Sequence, residues 1–409
     1  MRILMLTQWF DPEHTMKGLM FARALTREGH DVEVITGFPN YPGGKVYPGY
    51  RIKLFQREQI DGVRILRVAL YPSHDASAVG RVLNYVSFAA SASFLGTLLT
   101  RRPDVIYVYH PPLTAGLAAI AVGALKRAPF VYDVQDLWPD TLGATGMVGN
   151  ARVLRAVDRL ARWVYQRAAF VVAQSPGFRQ ALASRGVPES KLDVIYNWCD
   201  EDQLHLEHNP GIAKDLAAGE RFNVVFAGTM GKAQGLESVL RAAQLLAERG
   251  SGAQFVFVGG GVELASLKAR AERSGLTNVR FLPRMPMAEI GQVLEAADVL
   301  LVHLRDDPLF EITIPGKLQA YMAVGKPVLV AVRGDAADLI EASRGGATCE
   351  PEDAVGLADA VGKLEAMEPD ALKEMGDRGK RYYESELSIR SGVPHFIRIF
   401  ETVVARGRS

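Results

Sequence analysis

Short runs of consecutive apolar residues alternate along the chain with longer segments whose apolar positions recur at helical spacing. In the first half these runs lie at 3–7, 32–36, 105–108, 130–133 and 170–173. Strands that are apolar at every position are typical of a parallel sheet covered by helices on both faces. The pattern therefore predicts a doubly wound α/β domain.

A polar, irregular stretch at 197–219 interrupts this pattern, and a second alternating series follows it. The predicted strands of that series are those at 222–227, 254–258, 279–282, 299–304 and 327–332. We therefore predict two Rossmann-like domains that face each other across a cleft, an N-terminal one over 1–197 and a C-terminal one over 198–387. The amphipathic tail, 388–409, is expected to pack back on the first domain.

Composition narrows the class of protein. A chain of 409 residues with 48% hydrophobic content can build two cores, and a net charge of +1 gives no bulk attraction to nucleic acid. The two cysteines, Cys199 and Cys349, offer neither a disulfide framework nor zinc-ligand spacing, so a reducing cytosol is the expected location. The N-terminal strand is not followed by a small-residue cleavage site, so no signal peptide is predicted.

The segment 82–100 carries no charge and is flanked by Arg81, Arg101 and Arg102. Its length approaches that of a membrane span, but its serine, threonine and asparagine residues make it too polar for a confident one. We expect either a buried helix or an interfacial one.

In open parallel sheets, ligands bind beyond the carboxyl ends of the strands. In the stretch 310–329, Pro315, Gly316 and Lys317 open an apolar helix, and Glu311 lies just upstream. A helix start with free N–H groups and a lysine suits an anion, most plausibly a phosphate. The alternative is a capped core helix with a solvated lysine.

Two further loops of the second half open helices with glycine. The loop 227–235 carries Gly228 and Lys232, and a second loop contains Gly259 and Gly260. Neither matches a P-loop or a dinucleotide fingerprint. Around Arg284, two prolines hold the chain extended, where its N–H and C=O groups could pair with a flat base. Together these loops suit a diphosphate with a nucleoside attached.

The first half offers different chemistry. His110 follows a strand and precedes two prolines, a position better suited to a ligand than to a core. The stretch 133–140 places three carboxylates around Trp138, which suits an acid/base pair, a metal site or hydrogen bonds to a sugar. The alternative is that these carboxylates only cap helices and turns. Gly18 opens the first helix. This half suits an acceptor.

The chain resembles the retaining family 4 glycosyltransferases of the GT-B fold, and is most similar to the bacterial transferases of O-antigen, capsule and colanic acid assembly. The motifs that carry this resemblance are FDPE at 10–13 with Gly18, PNYPGGKVYPGY at 39–50, DVQDLWPD at 133–140, YNW at 196–198, AGTMGKAQGLE at 227–237 and IPGKLQAYMAVGKPVL at 314–329.

The resemblance implies that Lys232 and the amides near Gly316 hold the diphosphate of a UDP-sugar without a metal. It also implies that Glu311 contacts the donor sugar and that His110 lies near the sugar and the leaving phosphate. Fixed cations and amides would stabilise the leaving group in place of a metal.

Two positions depart from the family. Thr229 stands where many relatives have arginine. Relatives also carry two glutamates eight residues apart; Glu311 and Gln319 keep this spacing, but counting back from Gly325 places the second acid at Ala320.

We therefore predict a hexosyltransferase that moves a sugar, for example an N-acetylated or 6-deoxy hexosamine, from a UDP-sugar to a polyprenyl-diphosphate-linked acceptor. We expect it to be cytoplasmic, to bind the inner membrane peripherally, and to need no cofactor and no nucleic acid. The alternatives are a soluble small-molecule acceptor, a nucleotide-sugar epimerase or hydrolase, and a non-catalytic sugar- or nucleotide-binding protein.

The predicted catalytic residues are His110, Glu311 and Asp136. The predicted donor-binding residues are Gly18, Gly228, Thr229, Lys232, Gly259, Gly260, Arg284, Ile314, Pro315, Gly316, Lys317 and Gln319.

Overall fold

A computed structural model of the chain describes residues 1–13, 15–73, 78–144, 149–204 and 221–408. Most of the predicted linker lies outside the described residues. The chain divides into two compact units. Unit 1 comprises Met1–Tyr196 and Gly392–Ser409, and unit 2 comprises Asn197–Ser391.

Unit 1 is built on a sheet of eight described strands in the order β3-β4-β2-β1-β5-β6-β7-β8. All neighbours are parallel except β3 and β4. The strands are β1 (Arg2–Leu6), β2 (Asp31–Gly37), β3 (Phe55–Ile60), β4 (Val63–Val68), β5 (Val105–His110), β6 (Phe130–Val134), β7 (Phe170–Ala173) and β8 (Leu192–Val194). The pattern of apolar runs missed β3, because it is an edge strand whose side chains are all at least partly exposed.

Unit 2 is built on six described strands in the order β11-β10-β9-β12-β13-β14, all parallel. They are β9 (Phe222–Thr229), β10 (Ala253–Gly260), β11 (Val279–Leu282), β12 (Val299–His303), β13 (Val328–Ala331) and β14 (Gly346–Thr348). The central strands β9, β10, β12 and β13 are buried along most of their length, as expected for a sheet with helices on both faces.

Helices connect the strands in both units. Those described up to residue 196 are Leu19–Arg27, Ala78–Leu99, Thr114–Lys126, Asp140–Ala144, Ala151–Arg167 and Pro176–Ser184. Those described after it are Glu201–Leu204, Leu236–Glu248, Leu264–Arg273, Met287–Glu295, Pro308–Glu311, Gly316–Val324, Asp335–Ser343, Ala354–Glu365, Pro369–Tyr382 and Ile389–Arg408.

The last helix, Ile389–Arg408, packs on unit 1 through its aromatic residues. The Phe396 ring lies 5.0 Å from that of Phe21 and 5.5 Å from that of Tyr107, and Phe400 lies 6.1 Å from Tyr107. These contacts bury the apolar face of an amphipathic helix.

The helix Ala78–Leu99 is buried on one side only. Phe88, Ala92 and Leu95 are buried, whereas Phe94 and Leu98 are 67% and 63% exposed. By length and composition the segment Val79–Leu99 could cross a membrane, although soluble core helices pass the same test, and 39% of its most apolar window is buried within the protein. A core helix would not leave large apolar side chains in water, so the exposed side needs an explanation.

Candidate functional site

The carboxyl ends of β9 and β10 form a surface of bare backbone in unit 2. Gly228 pairs with Gly259 across the two strands. A Cβ at Gly259 would lie 2.1 Å from the carbonyl oxygen of Gly228, and the φ of Gly259 is +135°. A Cβ at Gly261 would lie 2.3 Å from the carbonyl oxygen of Met230. Only glycine fits at Gly259 and Gly261, because the main chain of Gly228 and Met230 packs directly against them.

Lys317 lies beside this surface. Its ammonium group is buried and has no hydrogen-bond partner among the described residues. The nitrogen lies 3.5 Å from the centre of the Phe226 ring and 3.3 Å from the position that a Cβ of Gly228 would occupy. Burial lowers the pKa of Lys317 to about 7. The alternative of a solvated lysine is therefore wrong: the amine is desolvated, and its charged form lacks a counter-ion among the described residues.

The helix that carries Lys317 is fixed from within. The Tyr321 hydroxyl accepts a hydrogen bond from the Ala227 N–H at 2.8 Å and donates to the Ala227 carbonyl at 3.1 Å. Gln319 is 1% exposed, and its amide nitrogen, when oriented toward the carbonyls of Pro315 and Gly316, donates to them at 2.9 and 3.0 Å. Gln319 thus secures the first turn of the helix, and this burial argues against the predicted contact with a donor.

A cavity of about 310 Å³ adjoins the loop after β9 and is lined by Gly231, Lys232, Gly235, Ser238 and Arg305, among others. Lys232 is exposed, in a short 3-10 turn, Lys232–Gln234. Arg305 was missed in the sequence, although its place two residues after a buried strand could have revealed it.

His303, at the end of β12, also escaped the sequence analysis. Its ring is fixed by Ser238 Oγ at 3.0 Å from Nε2 and by the Gln234 carbonyl at 2.7 Å from Nδ1. Burial lowers its pKa to about 4, so the ring is neutral at physiological pH. His303 supports the wall of the cavity next to Gly235, since its ring atom Cε1 lies 3.3 Å from the Cβ position of that glycine.

The remaining predicted donor residues of unit 2 differ in exposure. Thr229 and Arg284 are exposed, and Ile314 is 3% exposed. Glu311 ends the helix Pro308–Glu311, is half-buried, and makes no side-chain hydrogen bond or ion pair with the described residues. Its main-chain oxygen lies 2.1 Å from the Cβ position of Gly334, so its backbone is held in place.

In unit 1, His110 ends β5 and is fully buried. Neither ring nitrogen has a hydrogen-bond partner among the described residues. Burial lowers its pKa to about 3, so the imidazole is neutral. The rings of Trp138 and Tyr132 lie 5.8 and 5.6 Å away. A buried imidazole without a partner is costly in a core, which favours a role toward a ligand.

The three carboxylates of 133–140 separate into two kinds. Asp133 is fully buried and accepts hydrogen bonds from Lys17 at 2.8 Å, Tyr107 at 2.7 Å and Gln135 at 2.6 Å. Asp140 forms an ion pair with Arg185. Both are structural.

Asp136 is different, because its carboxylate makes no hydrogen bond with the described residues, and burial raises its pKa to about 6. It remains the catalytic candidate of this stretch.

Gly18 has a packing role. A Cβ there would lie 2.1 Å from Thr15 Oγ1 and 2.4 Å from Asp11 Oδ2. The Asp11 carboxylate already accepts from the Leu19 N–H at 2.7 Å, so a side chain caps this helix start. Nothing in this geometry supports the predicted donor contact of Gly18.

Two doubly wound α/β units in one chain are the arrangement of the GT-B class of glycosyltransferases. The family models agree: a glycosyl transferase 4-like domain matches residues 19–198, and glycosyl transferases group 1 matches residues 221–366. The chain is a glycosyltransferase of family 4, related to proteins of bacterial polysaccharide assembly.

Individual relatives are distant in sequence. The putative colanic acid biosynthesis glycosyl transferase WcaI of Escherichia coli K12 is 27% identical over 82% of this chain and 84% of its own length. The probable glycosyltransferase WbjE of Pseudomonas aeruginosa is 28% identical over 66% of this chain and 68% of its own length. The crystal structure of Anabaena Alr3699/HepE in complex with UDP aligns with this chain with a TM-score of 0.70 and 17% identity. The alignment covers 98% of this chain and 100% of that one.

Proposed function

We propose that this protein transfers a sugar, with retention of anomeric configuration, from a UDP-sugar to a polyprenyl-diphosphate-linked sugar during assembly of a bacterial surface polysaccharide. The observation that carries the proposal is the buried, unpaired ammonium of Lys317 at the start of a helix and beside the bare backbone of Gly228.

A diphosphate fits this arrangement for three reasons. Because residue 228 is glycine, no side chain occupies the space next to the Lys317 ammonium, which lies 3.3 Å from the position of a Cβ there. The N–H groups at the start of Gly316–Val324 have no side-chain cap and attract an anion. The Lys317 ammonium, desolvated in advance, neutralises charge on the leaving diphosphate without having to reorganise.

These groups supply the charge that a divalent metal provides in other transferases, so we propose catalysis without a metal. Lys232 and Arg305 also line the adjoining cavity, although Glu237, Glu263 and Glu352 line it too and Arg305 lies 3.8 Å from Glu352. Activity that survives EDTA supports this part of the proposal, and activity that EDTA abolishes and magnesium or manganese restores contradicts it.

For the reaction itself we assign Glu311 to the donor sugar and His110 and Asp136 to the reacting groups. A neutral, unpaired His110 can donate one hydrogen bond and accept another. Asp136, with a pKa of about 6, is a carboxylate at neutral pH and can orient an acceptor hydroxyl. The resemblance to the polysaccharide-assembly relatives supports a lipid-linked acceptor.

We further propose that unit 1 binds the cytoplasmic membrane surface through the exposed side of Ala78–Leu99. Phe94 and Leu98 lie in water on that side, and Arg101 follows the helix with 65% of its side chain exposed. Apolar side chains next to arginine are typical of interfacial helices. Arg64 and Arg101 both pair with Asp31, which reduces the charge available to an anionic leaflet.

The central test is binding followed by transfer. UDP should bind the protein in titration calorimetry, and UDP-sugars should be consumed only when a polyprenyl-diphosphate sugar is added. Consumption without an acceptor would identify a hydrolase or epimerase. Equal rates with a water-soluble acceptor would contradict the lipid-linked acceptor. Failure to float with anionic liposomes at low salt would contradict the membrane-binding part of the proposal.

A further inference from the structure

Aromatic side chains gather at one edge of the sheet in unit 1. Strands β2, β1, β5 and β6 are neighbours and parallel, so their carboxyl ends lie side by side. Trp9 follows β1, Tyr41 follows β2, and Trp138 follows β6, while His110 ends β5. Four separate segments thus contribute rings to the edge where ligands of open parallel sheets bind.

Trp9 and Tyr41 form a stacked pair. Their ring centres are 4.4 Å apart with an angle of 29° between the planes. Both side chains are only half-buried, so part of the pair stays accessible. Trp138 is also half-buried, and its ring lies 6.0 Å from that of Tyr85.

One buried carboxylate holds the stacked pair in place. Glu13 is 1% exposed, and its Oε1 accepts from the N–H groups of Asn40 and Tyr41, both at 2.7 Å. Its Oε2 accepts from the Phe10 N–H at 3.1 Å. Glu13 therefore ties the residue after Trp9 to the loop that carries Tyr41, and both rings are positioned before any ligand arrives.

A carboxylate without a partner lies near the rings. The Asp136 side chain makes no hydrogen bond with the described residues, and its charge adds to the effect of burial in raising the pKa of Tyr41. Among the described residues, the fully buried cations of the unit are paired, since Lys17 binds Asp133 and Arg67 binds Glu58. Rings with a free acceptor and without a free buried cation suit a neutral polyol better than a phosphate.

We propose that Trp9, Tyr41 and Trp138 form a platform that binds the pyranose ring of the acceptor sugar by its C–H face, with Asp136 accepting a hydrogen bond from a sugar hydroxyl. Glu13 is the positioning residue of this platform. The inference rests on the proposed function, because it gives the acceptor of that reaction its recognition site.

The test uses the full-length protein with UDP present and a panel of methyl glycosides of glucose, galactose and N-acetylglucosamine as probes. Saturation-transfer NMR reports binding of each glycoside, and calorimetry reports binding of UDP separately. We expect at least one glycoside to bind saturably, with affinity falling about tenfold in Trp9→Ala and in Tyr41→Ala, the loss of one aromatic contact. Tyr41→Phe keeps the ring and should stay within about twofold of the wild type.

Trp163→Ala is the matched control, because Trp163 is 40% exposed on the helix Ala151–Arg167, away from these loops in sequence. It should bind the glycoside as the wild type does. Glu13→Gln should weaken glycoside binding while UDP affinity stays unchanged, a split that a general loss of stability would not produce.

The proposal is overturned if no glycoside binds the wild type, or if Trp9→Ala and Tyr41→Ala lose no more affinity than Trp163→Ala. UDP binding is measured separately, so neither of these results would by itself contradict the proposed function. A wild-type protein that fails to bind UDP would refute the proposed function, whatever the glycosides show.

Discussion

Each unit has a lysine with a buried ammonium group near the ends of its strands, and the two lysines differ in whether that group has a partner. In unit 1, Lys17 is fully buried and donates to the equally buried Asp133 at 2.8 Å, with Tyr107 on the same carboxylate oxygen. In unit 2, the Lys317 ammonium has an aromatic face 3.5 Å away and no hydrogen-bond acceptor among the described residues.

We infer from this difference that Lys17 stabilises the fold and that Lys317 binds a ligand. A buried charge costs several kcal/mol, and the ion pair with Asp133 offsets part of that cost for Lys17, although burial still lowers the pKa of Lys17. Lys317 has no such acceptor among the described residues, so an anion that binds beside it would stabilise its charged form. The comparison predicts that the two lysines respond to substitution in opposite ways.

The largest effect should come from Lys17→Met. This change leaves the Asp133 carboxylate buried without its cation, and breaking such a pair costs about 3–5 kcal/mol. Urea unfolding monitored on unit 1 should show the loss, and the double variant Lys17→Met, Asp133→Asn should recover part of it. Lys317→Met should leave unfolding unchanged or raise stability, since it removes an unpaired charge. If both single variants destabilise equally, Lys317 has a partner and the comparison fails.

For UDP binding we expect the opposite ranking of the two lysines, with the larger loss in Lys317→Met. Lys317→Met is expected to weaken UDP binding by about 2–3 kcal/mol, roughly 30- to 150-fold, the range for hydrogen bonds to charged groups. Lys17→Met protein that remains folded should bind UDP as the wild type does. Titration calorimetry with UDP measures both, and an unchanged affinity in Lys317→Met would remove the diphosphate from this position.

Much of the fold could be predicted from the sequence. Fully buried strands such as β7 and β13 are continuous apolar runs, and a fold of parallel strands and helices follows from their alternation with helical segments. The edge strand β3 could not be found this way, because four polar residues stand between its two apolar ends and none of its side chains is fully buried.

Only part of the candidate site could be predicted from the sequence. The Pro315–Gly316–Lys317 turn was visible because helix starts have sequence signals. The separation of Asp133 from Asp136 was not, because it depends on Lys17, which lies 116 residues away in sequence from its partner. The contact of Gln319 with its own helix was not visible either, because spacing cannot show that a side chain turns back onto the turn before it.

A pH series should sharpen the comparison further. The pKa of Lys317 lies at about 7 in the folded protein, below its ordinary 10.5, because of burial. The unfolded chain therefore binds more protons between these values, and the stability of the free protein should rise with pH above about 7, by at most about 1.4 kcal/mol per unit.

UDP affinity should fall as the pH rises, opposite to the change in stability. A bound diphosphate favours the charged lysine, so binding takes up a proton and weakens as the pH rises above about 7. Calorimetry in buffers of different ionisation enthalpy measures the proton uptake. Lys317→Met should abolish both slopes. Slopes that persist in that variant would assign them to another group.

The smallest effect is expected at Lys232, which contrasts with Lys317 within the same unit. Lys232 lines the cavity beside Gly231 but is exposed, so water and salt screen its charge. Lys232→Ala should weaken UDP binding by only about 0.5–1 kcal/mol at low ionic strength. The loss should shrink as salt is added, because the screening length falls to about 3 Å at 1 M. The loss in Lys317→Met should persist, since the buried ammonium is poorly screened. Calorimetry of both variants at low and high salt tests this, and a large, salt-independent loss in Lys232→Ala would mean that Lys232, rather than Lys317, holds the diphosphate.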